Sequence, residues 1–128
     1  MAQVTSDALV FYGATGDLAF KKIFPALFLM VKRGHLQSPI IGVARGDYDL
    51  EKLQLRAKES IQRYGNFEEE TFSKFLKLLA FVGGDYTDPQ TFLRIREALG
   101  KAQNPTHYLA IPPVLFPSII AWKSTSQT

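Results

Sequence analysis

The chain has 128 residues, 46% of them hydrophobic and 21% charged, a formal net charge of +3 and no cysteine. That length supports one domain with a real core and is small for a two-domain enzyme. The absence of cysteine excludes disulfides and thiolate chemistry and suits a cytoplasmic location. Basic residues are scattered through helix-like segments instead of forming a stripe with interleaved aromatics, so no nucleic-acid partner is expected. The first seven residues lack a basic run, and the apolar run behind them is too short for a signal peptide or membrane span. No membrane role is expected, and His35 and His107 stand in no ligand-spaced cluster, so no metal is expected either.

Strand-like and helix-like segments alternate along the chain, the pattern of a parallel sheet covered by helices. Leu9 to Tyr12 predicts a first buried strand, followed by a helix from Asp17 to Arg33 with a kink at Pro25 and a stop at Gly34. Ile40 to Ala44 predicts the second strand. Asp49 then caps a helix reaching Tyr64. Glu68 to Leu79 predicts another helix, since Phe72, Phe75, Leu76 and Leu79 share one face. Leu79 to Val82 predicts a third strand, and Asp88-Pro89 opens a helix to about Leu99. His107 to Ile111 predicts a fourth strand, stopped by Pro112-Pro113. The segment after Val114 starts an amphipathic helix at most, and residues 123–128 form a polar tail with nothing to bury. The expected fold is α/β and Rossmann-like: about four mainly parallel strands with helices on both faces, in one domain over residues 1–122. It is incomplete beside the six-stranded dinucleotide fold.

The chemistry gathers in Gly13-Ala14-Thr15-Gly16-Asp17-Leu18-Ala19, a small-residue turn between the first strand and the first helix. Such turns present backbone N–H groups to a pyrophosphate, and glycine leaves no Cβ in the way. The same pattern also suits a tight turn needed only for structure. Arg45, at the end of the second strand, has a planar donor fork suited to a ribose 2′-phosphate and favours NADP. Asp47 keeps NAD as the second choice. Lys21 and Lys22 either reach a ligand or are helix-surface lysines. Tyr86 either flanks an adenine or packs at a strand end, while His107 reads as a strand-edge residue and His35 as part of a turn. No nucleophile–base pair stands out, so no catalytic residue is expected.

Several of these stretches together resemble the N-terminal region of glucose-6-phosphate dehydrogenases. They are Gly13 to Ala19 with Lys22-Ile23-Phe24-Pro25-Ala26-Leu27, Ile41 to Arg45, Gly84-Asp85-Tyr86-Thr87-Asp88, and Tyr108 to Pro113. The resemblance implies that Gly13, Ala14, Thr15, Gly16, Asp17 and Leu18 wrap the NADP pyrophosphate while Arg45 holds the 2′-phosphate. It implies that Asp85 and Tyr86 border the adenine, that Pro112 and Pro113 shape the nicotinamide end, and that Lys22 lies toward the sugar phosphate. The implied reaction is oxidation of glucose 6-phosphate by NADP to 6-phosphogluconolactone, the entry to the pentose phosphate pathway. The family's Glu-Lys-Pro-Phe-Gly segment and its catalytic histidine domain have no counterpart in this sequence. Glucose 6-phosphate is therefore expected to bind only where a catalytic domain is supplied. The expectation is a cofactor-holding domain inactive alone; the alternatives are a free-standing NADP-binding regulatory module or a non-functional truncated product.

Overall fold

The computed structural model describes residues 7–45, 48–85, 88–103 and 105–109. Its strands are β1 (Ala8–Tyr12), β2 (Ile40–Ala44), β3 (Leu79–Gly83) and β4 (Pro105–Leu109). The α-helices are α1 (Phe24–Lys32), α2 (Leu50–Tyr64), α3 (Glu69–Leu78) and α4 (Pro89–Leu99). All pairings are parallel and the order is β3-β2-β1-β4. β1 and β2 are apolar on both faces and almost wholly buried, as inner strands of a parallel sheet must be.

Handedness explains the layers. The chain steps from β1 to β2 to β3 in one direction and then returns to place β4 on the far side of β1. Right-handed crossovers therefore put α1, α2 and α3 on one face and the returning α4 on the other. Two cores result. On the three-helix side Phe11, Phe24, Phe28, Leu53, Ile61 and Phe75 pack together, with the Phe11 and Phe24 rings edge to face at 5.5 Å. On the α4 side Val10, Tyr12, Ile41 and Val43 meet Phe92, Ile95 and Leu99. The two predicted helix caps are present: Asp49 accepts from the Lys52 amide at 2.8 Å and Asp88 from the Gln90 amide at 3.0 Å.

Two expectations need correction. The predicted kink at Pro25 is a π-helical turn, Ala19–Ile23, in which the Phe24 amide reaches back to the Ala19 carbonyl. Proline lacks an N–H and crowds the carbonyl four residues behind it, and one wider turn relieves that conflict. The fourth strand starts earlier than predicted, because Pro105 is its first residue and lies at a sheet position that tolerates a missing donor. His107 sits on this strand, half-buried, with its Nδ1 hydrogen-bonded to the Tyr12 hydroxyl at 2.9 Å. Ile111, the double proline and the tail at 123–128 lie outside the described residues.

Candidate functional site

The order 3-2-1-4 places a topological switch between β1 and β4, and ligands of open α/β sheets bind outside the carboxyl ends of the strands at that point. The turn after β1 occupies this position. Gly13, at φ 88°, makes a reversal that side-chain-bearing residues rarely adopt. The amides of Gly13 and Ala14 both donate to the Val43 carbonyl, at 2.9 and 3.1 Å, which sews the turn to the end of β2. The Gly16 amide then closes on the Gly13 carbonyl at 3.0 Å, and the Phe20 amide on Gly16 at 3.1 Å.

Ala14 is buried beneath the turn, and β2 passes directly against it. A Cβ on Gly42 would stand 3.0 Å from the Ala14 Cβ and 3.0 Å from Leu53 Cδ2. Gly42 thus lets the turn lie flat on the sheet. Gly16 is different. Its φ is not positive, and a Cβ there would meet only the Gly13 carbonyl, at an ordinary 3.4 Å. Nothing within the described fold requires glycine at 16. Beyond it, no carbonyl among the described residues accepts from the amides of Thr15, Asp17 or Leu18, the donors a helix leaves open at its start. Together they leave a set of open N–H groups at the positive end of a helix.

The π turn is tied down from α2. Because Pro25 has no N–H, the Phe20 carbonyl loses its donor within the helix, and the buried Ser60 hydroxyl donates to it instead. One turn earlier on α2, Arg56 Nη2 approaches the Gly16 carbonyl at 3.4 Å, and its guanidinium lies 4.6 Å from the Phe20 ring centre. Neither residue stands out in the sequence. Their spacing from each other is an ordinary helix repeat, and their partners lie forty positions away.

The other predicted residues fall on the same rim in part. Arg45 directly follows β2 and is exposed beside the turn. Asp85 follows β3, where the Gly84 amide bonds to the Ala44 carbonyl at 3.0 Å and the Thr91 hydroxyl to the Asp85 carbonyl at 2.7 Å. Strand pairing therefore lines up Gly13 to Leu18, Arg45 and Asp85 along the carboxyl edge of the sheet. Lys22 is exposed in the π turn, and among the described residues no hydrogen bond or ion pair joins it to the glycine turn. Asp47, Tyr86, Pro112 and Pro113 lie outside the described residues. Among the described residues no group of three or more histidine, cysteine or carboxylate side chains is placed to hold a metal. Nor is any helix among them long and apolar enough to cross a membrane. A cleft of about 290 Å³ lies between α1 and the end of α2, lined by Pro25, Phe28, Leu29 and Tyr64 among others; none of its residues belongs to the turn or the strand ends.

Known proteins place this arrangement. Residues 10–127 match the family described as "Glucose-6-phosphate dehydrogenase, NAD binding domain". Glucose-6-phosphate 1-dehydrogenase 1 of Mycobacterium tuberculosis is 39% identical over 115 residues, covering 90% of this chain and 25% of that protein. Glucose-6-phosphate 1-dehydrogenase 6, cytoplasmic, of Arabidopsis thaliana is 36% identical over 126 residues, covering 88% and 24%. Among solved structures, glucose-6-phosphate 1-dehydrogenase from Mycobacterium avium superimposes with a TM-score of 0.88 at 37% identity, over 94% of this chain and 27% of that one. The chain spans about a quarter of the length of the curated relatives it matches. With the 3-2-1-4 sheet, the glycine turn at its switch point and a match across nearly all of its length, the chain belongs to the NAD-binding domain family of glucose-6-phosphate dehydrogenases.

Proposed function

We propose that this chain binds a nicotinamide dinucleotide, NADP before NAD, and forms the cofactor-holding part of an enzyme that oxidises glucose 6-phosphate. The observation that carries the proposal is Gly16. The fold leaves room for a side chain there and demands no unusual backbone, so the glycine at 16 leaves open space in which a bound group can approach the backbone closely. The open amides of Thr15, Asp17 and Leu18 supply donors for that group, and the helix start supplies favourable potential for its negative charge. These features fit a pyrophosphate, with Gly13, Ala14, Thr15, Gly16, Asp17 and Leu18 around it.

Arg45 is the residue for selectivity. It stands exposed at the end of β2, next to the turn, with a fork that matches a phosphate monoester. Asp85 and Tyr86 are assigned to the adenine side, Pro112 and Pro113 to the nicotinamide side, and Lys22 to the sugar phosphate. When bound, the cofactor supplies the hydride acceptor; this chain binds and orients it. The base that takes the hydroxyl proton of the substrate is assigned to the part of the enzyme beyond these motifs, so the chain by itself is expected to show no dehydrogenase activity. A relative named as cytoplasmic supports a cytoplasmic location, and the residues numbered 1–122 are read as the binding domain with 123–128 as a polar tail.

Arg45→Ala tests the assignment. Losing a charge-assisted contact of about 1.5–3 kcal/mol raises the Kd for NADP about tenfold to hundredfold. The Kd for NAD, which lacks the 2′-phosphate, stays within about twofold of the original. Equal losses for the two dinucleotides would show that Arg45 does not read the 2′-phosphate.

A further inference from the structure

Arg56 belongs to none of the stretches that point to the cofactor, and its surroundings are unusual for a cation on a helix. It lies one turn past Leu53 and one turn before Ser60, on the side of α2 that faces the first helix. A surface arginine normally runs its stem along the protein and keeps its head in water. Here Nε is buried with no hydrogen-bond partner, Nη2 points at the Gly16 carbonyl, and the guanidinium lies over the Phe20 ring. A desolvated donor of this kind is costly, and its retention calls for a role.

The geometry supplies one. Arg56 and Ser60 touch the two ends of the segment Gly16–Phe20, the first at the Gly16 carbonyl and the second at the Phe20 carbonyl. This segment carries the open amides of Asp17 and Leu18. We propose that Arg56 is a positioning residue for the dinucleotide pyrophosphate: from behind the turn it fixes the Gly16 carbonyl and adds positive potential to the amides, without touching the cofactor. Lys21 and Lys22 are exposed and their charges are screened by water, whereas the part-buried guanidinium acts through a medium of lower dielectric. The inference rests on the dinucleotide reading above.

The test is titration of the folded chain with NADP, NAD and 2′-AMP, which keeps the adenine and 2′-phosphate but has no pyrophosphate. For Arg56→Met the Kd for NADP and for NAD rises by the same factor, about tenfold, the loss of one charged interaction. The Kd for 2′-AMP stays within about twofold. Arg56→Lys, which keeps the charge but not the planar fork, recovers part of the loss. Should Arg56→Met not fold, Arg56→Gln carries the same comparison. A purely structural arginine would lower Tm and leave all three Kd values unchanged, and that result overturns the proposal. Equal weakening of 2′-AMP overturns it too, because the pyrophosphate would not be what Arg56 serves. If the unaltered chain shows no saturable binding of NADP or NAD, the dinucleotide reading itself is wrong, which is a different result from failure of Arg56 alone.

Discussion

Replacing Ser60 by alanine probes the link between proline chemistry and the shape of the site. Ser60 is fully buried, and its hydroxyl is the donor that satisfies the Phe20 carbonyl. That carbonyl lacks a helical partner because the residue five positions on is Pro25. Ser60→Ala removes the side-chain donor of a part-buried carbonyl, at about 1–3 kcal/mol. A chain of this length has an unfolding entropy of about 0.27 kcal/mol/K, taking about 2.1 cal/mol/K per residue, so Tm falls by about 4–11 °C. Thermal and urea denaturation followed by circular dichroism give the value. The sharper reading comes from a double-mutant cycle with Pro25→Ala. Alanine at 25 restores an N–H that can serve the Phe20 carbonyl, so Ser60→Ala should cost at least about 1 kcal/mol less in that background. A cost that is the same with proline and with alanine at 25 would refute the missing N–H of Pro25 as the reason the Phe20 carbonyl depends on Ser60.

Gly42→Ala pushes a methyl group against Ala14 and Leu53, and the overpacking lowers stability in urea by about 1–3 kcal/mol; unchanged stability would mean that the turn does not need to lie so close to β2. Lys32→Met tests a surface pair. Glu68 is held below the usual carboxylate range mainly by its hydrogen bond from Lys32, at 2.9 Å, and further by one from Thr71, at 2.8 Å. A lowered folded-state pKa contributes stability that is present above the unfolded value, about 4.3, and lost as pH falls through the folded value. The Tm difference between Lys32→Met and the unaltered chain should therefore be small at pH 7, shrink in high salt and fade as pH falls below the unfolded value and through the folded one. A difference that grows on acidification would mean that the pair destabilises the fold where Glu68 is charged.

Much of the architecture was legible because hydrophobic pattern and caps agree locally. Asp49 and Asp88 announced their helices, and the all-apolar runs at β1 and β2 announced inner parallel strands. The small-residue turn was legible as a turn, and the sequence left open whether its glycines serve a ligand or only the fold. The backbone shows that the fold requires glycine at 13 and not at 16. Pro25 signalled an interruption without saying which kind, since a kink and a π turn answer the same missing N–H. Pro105 hid the start of β4 because a proline lowers the case for a strand wherever sheet position is unknown. Arg56 and Ser60 were illegible for a related reason. On a helix they read as one solvated and one neutral residue, and their meaning depends on contacts forty residues distant.

Whether the turn from Gly13 to Leu18 holds a dinucleotide, with NADP preferred, is decided by titrating the folded chain with NADP and with NAD. Saturable one-to-one binding of both is expected, tighter for NADP, with the preference abolished in Arg45→Ala. Absence of saturable binding to either dinucleotide, or a preference for NAD, would contradict the assignment of this turn and of Arg45.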